Sequence, residues 1–231
     1  MQARLDQNGF GALIADRRSV PAIDLLARTA AALRADPDFM VREEDVAAGL
    51  LLADEAPTAL APTALEHALA RIDADEASER RALEQLADQP ERAEELAGLP
   101  APLREAALDA LRERSWSFAG FGVRRLGLFS AEGAAAELVR VEPGFGAAEH
   151  DHEGEELTLV VTGAYQDGQG QYRPGDIARA LPGFKHAPRA EMAGVCYLLL
   201  VSYGAPKFTG RIGLLQRTTG FPWAPKLGRP N

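Results

Sequence analysis

The feature that most constrains this 231-residue chain is a histidine- and glutamate-rich run between residues 144 and 163. Within it, His150 and His152 are two positions apart, and Glu156 follows four positions later. Residues i and i+2 of an extended strand point to one face of a sheet, so the two imidazoles are predicted to share a side. Glu156 has the same parity after the turn at residues 153–154. The run therefore predicts a hairpin that carries three potential metal ligands.

A fourth candidate ligand is His186, which follows a predicted turn at residues 181–185. The chain has 4 histidines, and three of them fall in these two segments. Most of the few histidines thus lie in these two segments, which makes them candidate ligands of one metal ion.

The spacing resembles the first motif of the cupin family, Gly-x5-His-x-His-x3-Glu-x6-Gly. Every fixed position of that motif is met between residues 144 and 163. The second cupin motif, Gly-x5-Pro-x-Gly-x2-His-x3-Asn, is matched at Gly175, Gly183 and His186. Its proline is shifted by one place, and Ala190 stands where the motif has asparagine. The resemblance implies a cupin-type β-barrel, also called a double-stranded β-helix.

The same resemblance implies that one divalent metal ion is bound by four residues: His150, His152, Glu156 and His186. Three imidazoles and a carboxylate suit zinc foremost, and also iron, manganese or nickel. Four protein ligands saturate a tetrahedral zinc ion, whereas an octahedral metal keeps positions free for substrate or dioxygen. The alternative is a barrel that keeps the fold without a metal, at the cost of burying polar side chains that lack an ion.

The periodicity and composition of the chain change about halfway along its length. Upstream, apolar residues recur at helical spacing, which predicts helices over residues 19–36 and 38–54. Downstream, short alternating segments separated by glycine turns predict strands. We therefore expect an α+β protein, with an all-α helical region over residues 1–114 and the β-barrel over residues 115–231. Residues 1–18 lack periodicity and are predicted to form a loose arm.

A further predicted helix begins near Thr63, after a proline-bounded linker over residues 55–62. Leu65, Leu69 and Ile72 lie on its apolar stripe. In one interpretation this amphipathic helix is docked within a helical bundle. In the other it closes over a partner protein, and these three residues bind that partner.

The predicted strand after Glu156 is apolar on both faces. If Glu156 points into the barrel, then Leu157, Leu159 and Val161 face outward. An apolar outer face needs cover. Three segments are candidates for that cover: the helical region, the C-terminal tail that contains Phe208, and the second subunit of a homodimer.

The formal net charge of -9 is confined to the first half of the chain. Residues 1–114 contain 13 arginines and no lysine against 23 acidic residues, whereas residues 115–231 contain 12 basic and 11 acidic residues. An acidic surface argues against direct nucleic-acid binding and suits a basic protein partner, although a solvated helical face explains the charge as well. With no apolar run near the length of a membrane span and a single cysteine, Cys196, we expect a cytoplasmic protein without membrane contact.

Both halves of the chain resemble the ChrR-type anti-sigma factors, in which a helical domain that holds an extracytoplasmic-function sigma factor is joined to a cupin-like barrel. The likeness is carried by residues 64–73, 99–104, 150–165 and 205–208. It implies a transcription regulator that sequesters a sigma factor through its helical half and senses an oxidant or small ligand with its metal-binding barrel. The family's helical domain carries a zinc site of His and Cys, but residues 1–60 contain neither, so apolar packing would hold this helical half.

Two other functions stay open. The barrel could belong to a metal-dependent cupin enzyme, a dioxygenase or isomerase, or it could bind a small molecule without turnover. An enzyme should present acid–base or substrate-anchoring groups inside the barrel, and the candidates are few: Thr158, Thr162, Tyr172 and Arg179. The tethered helix and the acidic half are not needed by an enzyme, and they favour the regulator.

Overall fold

The computed structural model describes residues 2–4, 11, 20–34, 61–84, 90–131 and 133–209. The helices with bounds in these ranges are α1 (Pro21–Arg34), α2 (Ala64–Glu84), α3 (Pro90–Ala97) and α4 (Ala101–Glu113). The helix predicted over residues 38–54 lies outside the described residues. None of the described helices combines the length and the apolar character needed to cross a lipid bilayer.

The strands of the described ranges build three antiparallel sheets. They are β1 (Gln2–Arg4), β2 (Ser117–Gly120), β3 (Val123–Ala131), β4 (Ala134–Val141), β5 (His150–His152), β6 (Glu156–Thr162), β7 (Tyr165–Gln166), β8 (Gln171–Tyr172), β9 (Ile177–Ala180), β10 (Arg189–Ala190), β11 (Cys196–Ser202) and β12 (Pro206–Phe208). The largest sheet has the order β1-β9-β6-β11-β4-β3-β2, and the smaller sheets are β10-β7-β8 and β12-β5. The result is a β-sandwich with helices packed on it.

The large sheet packs apolar side chains on both faces, and the prediction made for the strand after Glu156 is confirmed for β6. Leu157, Leu159 and Val161 of β6 are at most 1% exposed on the outer face. They share one core with the helices, which contribute Ile23 and Leu26 of α1, Leu96 of α3 and Leu103 of α4. Burying each such side chain stabilises the fold by roughly 1.5–3 kcal/mol. In the described part of the chain, the helical region thus supplies the cover that the outer face needs.

The inner face of the sheet carries a second, smaller core. Val160 of β6 packs there with Val139 of β4 and Leu198 of β11. Cys196 belongs to this core and is fully buried. Burial raises the pKa of its thiol to about 12, so the residue is a protonated packing group at neutral pH.

A polar contact joins α3 to the outer surface of the barrel. Nε and Nη2 of Arg140 on β4 each donate a hydrogen bond of 3.0 Å to the carboxylate of Glu95 on α3. The hydroxyl of Tyr197 on β11 donates to the same carboxylate at 2.5 Å. The ring of Trp116 packs edge-on against Tyr197, with ring centroids 6.5 Å apart. We call Glu95, Arg140 and Tyr197 the α3 latch.

The backbone conformation explains why two positions of the first motif are glycine. Gly144 and Gly163 have φ angles of 76° and 70°, in the left-handed region that favours glycine. A Cβ at Gly163 would also lie 2.7 Å from the carbonyl oxygen of Val195 and 2.9 Å from Cα of Cys196. The motif's last glycine therefore allows β6 to end against the start of β11.

The N-terminal residues differ from their prediction. Gln2–Arg4 form β1, which pairs with the free edge of β9. The prediction of a loose arm over residues 1–18 is therefore wrong for these three residues. Pairing with a sheet edge uses backbone hydrogen bonds, so three residues without apolar alternation can form it.

Candidate metal centre

Three histidines converge inside the barrel. His150 and His152 lie on β5, and a backbone bridge joins His150 to His186 through N–H to O contacts of 3.0 and 2.9 Å. Nε2 of His186 lies 2.8 Å from Nε2 of His152 and 3.2 Å from Nε2 of His150. All three residues are buried. In the described part of the chain they form a group that could hold a metal ion.

The other ring nitrogen of the two β5 histidines faces an oxygen atom. Nδ1 of His150 lies 2.8 Å from the carbonyl oxygen of Ala148, to which it donates in the Nδ1–H tautomer. Nδ1 of His152 lies 3.5 Å from Oε2 of Glu156. Protonation at Nδ1 leaves the lone pair on Nε2, which is the nitrogen directed at the centre of the group.

This arrangement fits a divalent metal ion. Facing lone pairs on nitrogen atoms only 2.8 and 3.2 Å apart repel one another, so these atoms share either a proton, in an N–H···N hydrogen bond, or a cation that lies between them. Two imidazole nitrogens bound to one zinc ion at about 2.0–2.1 Å lie about 3.3 Å apart in a tetrahedron, close to the separations found here. The histidine cluster thus has both the donor atoms and the spacing for a first-row metal.

Glu156 lies beside the histidine cluster but outside the group of mutually close ligand atoms. Its carboxylate accepts a hydrogen bond from Oγ1 of Thr158 at 3.2 Å, and its second oxygen faces Nδ1 of His152. The ligand atoms of the three histidines all lie within 4.8 Å of one another, and Glu156 is not part of that set. The role of Glu156 as a metal ligand stays a prediction.

Burial sets the charge of the β5 histidines. Desolvation lowers the pKa of His150 to about 4, which the negative charge of Glu156 partly opposes. Desolvation likewise lowers the pKa of His152 to about 4, and the neighbouring His186 lowers it further. Both imidazoles are therefore neutral at pH 7 and need not lose a proton before they bind a metal ion.

Aromatic rings shield one side of the cluster. Strand β12 pairs with β5 so that Phe208 lies opposite His150, and their ring centroids are 5.5 Å apart. The ring of Phe184 lies 5.9 Å from that of His186. The tail residue Phe208 thus covers the candidate centre rather than the outer face of the large sheet.

A cavity of about 80 Å³ opens beside His150, His186 and Glu156. Thr158, Tyr165 and Arg189 also line it, and the remaining wall is mainly apolar: Val123, Val139, Val141, Leu198 and Leu200. Tyr165 was not predicted to line the cavity, because simple alternation after Glu156 points it outward; β6 ends at Thr162, and Tyr165 begins a separate strand. A cavity of this lining accommodates a small, largely apolar molecule next to the histidines.

Of the four groups predicted as enzymatic anchors, Thr158 alone is among the residues that line this cavity. Tyr172 stacks on Tyr165 with ring centroids 4.8 Å apart. Nε of Arg179 donates to the carboxylate of Glu155. Thr162 accepts a hydrogen bond from the backbone N–H of Tyr197 at 3.3 Å.

The predicted partner-binding residues lie far from the histidines in sequence, on α2. Their side chains are exposed, to 71% for Leu65 and 53% each for Leu69 and Ile72. His67, the fourth histidine of the chain, is also exposed on α2 and is outside the metal-binding group. The apolar stripe of α2 is therefore uncovered in the described structure.

Comparisons with known proteins match both halves of the chain. A family model described as the ChrR cupin-like domain matches residues 105–204. The anti-sigma-E factor ChrR of Cereibacter sphaeroides is 32% identical over 164 residues, which are 71% of this chain and 72% of that relative. In the crystal structure of Rhodobacter sphaeroides SigE in complex with the anti-sigma ChrR, the matching chain is 27% identical with a TM-score of 0.56, over 86% of this chain and 97% of that one.

A cupin-like protein of unknown function from Ralstonia eutropha matches more weakly. It is 16% identical with a TM-score of 0.37, over 40% of this chain and 61% of the other. The family match over residues 105–204, and not this weaker likeness, shows that the β-sandwich described above is cupin-like.

Proposed function

Because the chain belongs to the ChrR family of anti-sigma factors, we propose that it sequesters an extracytoplasmic-function sigma factor through residues 1–114 and senses an oxidant or small ligand through a metal-binding barrel over residues 115–231. The likeness to the SigE-bound ChrR chain extends over 86% of this chain, which supports a function that uses both halves. Such a function requires a cytoplasmic location, where sigma factors meet RNA polymerase.

The observation that carries this proposal is the exposed apolar stripe of α2. Large apolar side chains that recur along one helix face are a common means of docking into a groove of a partner. In α2 the stripe of Leu65, Leu69 and Ile72 is exposed on a helix of 21 residues. The acidic balance of residues 1–114 adds charge complementarity toward a basic partner surface.

The histidine cluster supports the metal-binding part of the proposal. Three buried imidazoles with converging Nε2 atoms, of which the two on β5 are neutral, suit zinc foremost among divalent metals, and iron, manganese or nickel as well. When bound, the metal supplies a Lewis-acidic centre beside the 80 Å³ cavity. The wall of that cavity is mainly apolar and also includes Arg189, so it suits a small ligand that joins an apolar body to a polar or anionic group.

Coupling between the barrel and the sigma-binding half needs a physical connection. The shared core between α1, α4 and the outer face of the large sheet is one connection. The α3 latch is another, since Arg140 and Tyr197 lie on β4 and β11, the strands whose other face surrounds the inner core. A change at the cluster that shifts these strands would alter the contacts of the helices.

The test uses the full chain as bait in a lysate of its host, with the retained proteins identified. Recovery of a sigma factor is expected. Leu69→Glu should abolish that recovery, because it places a charge in the apolar contact. Ala74→Glu is the matched control, since it adds the same charge on the opposite, exposed face of α2 and should leave recovery unchanged. A bait that is folded but retains no sigma factor contradicts the proposal.

The second candidate function is a small-molecule-binding or enzymatic cupin. The cavity beside the histidine cluster favours it, because its wall joins the candidate metal centre to an apolar space. Thr158 and Tyr165 are the hydroxyl groups that line this space. A sigma-free pull-down together with turnover of a small substrate by the metal-loaded chain would select this function over the first.

A further inference from the structure

Asp167 lies in the hairpin turn between β7 and β8, yet its carboxylate is turned into the barrel. Gly168, Gln169 and Gly170 of the same turn are exposed, whereas the side chain of Asp167 is 0% exposed. The turn itself fixes this residue. Its backbone N–H donates to the carbonyl oxygen of Gly170 at 3.3 Å, and its Oδ1 accepts from the backbone N–H of Gln169 at 3.0 Å.

The second oxygen of this carboxylate faces the histidine cluster. Oδ2 of Asp167 lies 3.7 Å from Nδ1 of His186, and the imidazole is 4% exposed. Within the described residues, no hydrogen-bond partner reaches Nδ1 of His186 at shorter range. This distance is slightly longer than a hydrogen bond, and a small rotation of the imidazole ring would shorten it to hydrogen-bonding distance.

Asp167 completes a pattern that the other two histidines already show. Nδ1 of His150 faces the carbonyl oxygen of Ala148, and Nδ1 of His152 faces Oε2 of Glu156. With Asp167 opposite His186, each of the three imidazoles has an oxygen at Nδ1 and directs Nε2 to the centre. Such oxygen partners fix the tautomer and orientation of metal-binding histidines.

We propose that Asp167 is a positioning residue of the metal centre, which holds His186 in the Nδ1–H tautomer with the Nε2 lone pair directed at the ion. This inference rests on the metal centre of the proposed function. The turn alone does not require an aspartate, since the contact with Gln169 uses Oδ1 and an asparagine provides the same acceptor. Oδ2 takes no part in the contact with Gln169, and it lies beside His186.

The substitution Asp167→Asn separates the two roles. The asparagine keeps an oxygen for the N–H of Gln169 and so keeps the turn. It then places an amide NH2 group toward Nδ1 of His186, and this donor favours the tautomer with a lone pair on Nδ1 and a proton on Nε2. That tautomer cannot present Nε2 to a metal ion.

The experiment measures zinc affinity of the full chain by competition with a chromophoric chelator. Asp167→Asn is expected to weaken zinc binding by about 10- to 100-fold, the range found for such outer partners. The control is Asp176→Asn, a turn aspartate whose Oδ2 accepts from the backbone N–H of Arg173 at 2.9 Å, and it should keep the original affinity. Equal affinity of the two variants would overturn the role of Asp167 while leaving the metal centre in place.

A second readout does not depend on metal. The 15N chemical shifts of the His186 ring in the metal-free chain should report a proton on Nδ1 in the original protein and on Nε2 in Asp167→Asn. Unchanged shifts in the variant would contradict the inference. If the original protein binds no zinc at all, the metal centre fails, and the inference fails with it.

Discussion

Glu95 of α3 and Arg140 of β4 form a two-point ion pair, in which Nε and Nη2 of the guanidinium each donate to the carboxylate at 3.0 Å. The two residues are 45 positions apart, and their side chains are 20% and 30% exposed for Arg140 and Glu95 respectively. Tyr197 donates to the same carboxylate. This contact joins the helical region to the barrel by charge and geometry, in addition to the shared apolar core.

The α3 latch should have a measurable coupling energy. Arg140→Ala and Glu95→Ala should each lower the free energy of unfolding by about 1–3 kcal/mol, because each leaves a partly buried charged group without its main partner. The double variant should cost less than the sum, since the second change removes a group already deprived of its partner. Urea unfolding of the four proteins measures this cycle.

The control for the latch is Arg112→Ala. Arg112 pairs with Asp109 on α4, but the two side chains are 53% and 72% exposed. An exposed pair of this kind contributes at most about 1 kcal/mol. If the effects of Arg140→Ala and Glu95→Ala on the free energy of unfolding were strictly additive, the direct contact between these two residues would be contradicted.

Gly163→Ala should destabilise the barrel more than Gly168→Ala. Both glycines have positive φ, 70° and 83°, so both substitutions carry a backbone cost of roughly 1–2 kcal/mol. A Cβ at Gly163 would also lie 2.7 Å from the carbonyl oxygen of Val195, whereas a Cβ at Gly168 meets nothing within 4 Å. Thermal unfolding of the two variants isolates the steric difference, and equal melting temperatures would contradict the close approach of β6 and β11.

The stability of the metal-free chain should fall as the pH falls from 7 toward 4. Burial lowers the pKa of His150 and His152 to about 4 from an ordinary value of 6.5. Between these values the unfolded chain binds more protons than the folded chain, so acidification lowers the free energy of unfolding. The melting temperature of chelator-treated protein across this range measures the effect.

The variants for this experiment are His150→Gln with His152→Gln, and His67→Gln as the control. The double variant should reduce the slope of melting temperature against pH, because it removes the two imidazoles whose pKa is lowered on folding. His67 is exposed on α2, and its replacement should leave the slope unchanged. The same slope in all three proteins would contradict the assignment to the buried histidines.

Replacing His150 and His152 by Ala should abolish bound metal. These residues supply two of the three converging Nε2 atoms. A metal ion whose free concentration is 100 times its dissociation constant stabilises the folded state by about 2.7 kcal/mol. In the presence of metal, the double variant should therefore melt at a lower temperature than the original protein. Elemental analysis of the purified chain measures metal content, with His67→Ala as the control. Unchanged metal content in the double variant would contradict the histidine cluster as the binding site.

The shared face of His150 and His152 can be predicted from the sequence because strand parity, a short-range rule, governs it. That His186 joins them over 36 positions follows only from the resemblance to the cupin motifs. The apolar outer face of β6 likewise follows from alternation, which predicts a need for cover but not which of three candidate segments supplies it; in the described part of the chain the helices do. The pairing of β1 with β9 does not follow from Gln2–Arg4, because a sheet edge accepts almost any extended segment.

Asp167 shows a second limit of prediction from sequence. The run Asp-Gly-Gln-Gly from residue 167 is fully explained as a hairpin turn, and nothing local indicates a further contact. The partner of its second oxygen, His186, is 19 positions away and is brought near by the fold of the barrel. The hydrogen bond between Glu95 and Tyr197 in the α3 latch joins residues 102 positions apart, and it cannot be predicted from the sequence for the same reason.

The most direct test of this account is the affinity of the full chain for the sigma factor it retains, measured with the barrel loaded with zinc and after chelator treatment. We expect binding in at least one form and a difference between the two affinities of about 5- to 150-fold, the usual range of coupling between two sites. Equal affinities would contradict the proposal that metal binding in the barrel changes the affinity of the helical half for the sigma factor. Absence of binding in both forms would contradict the anti-sigma function itself.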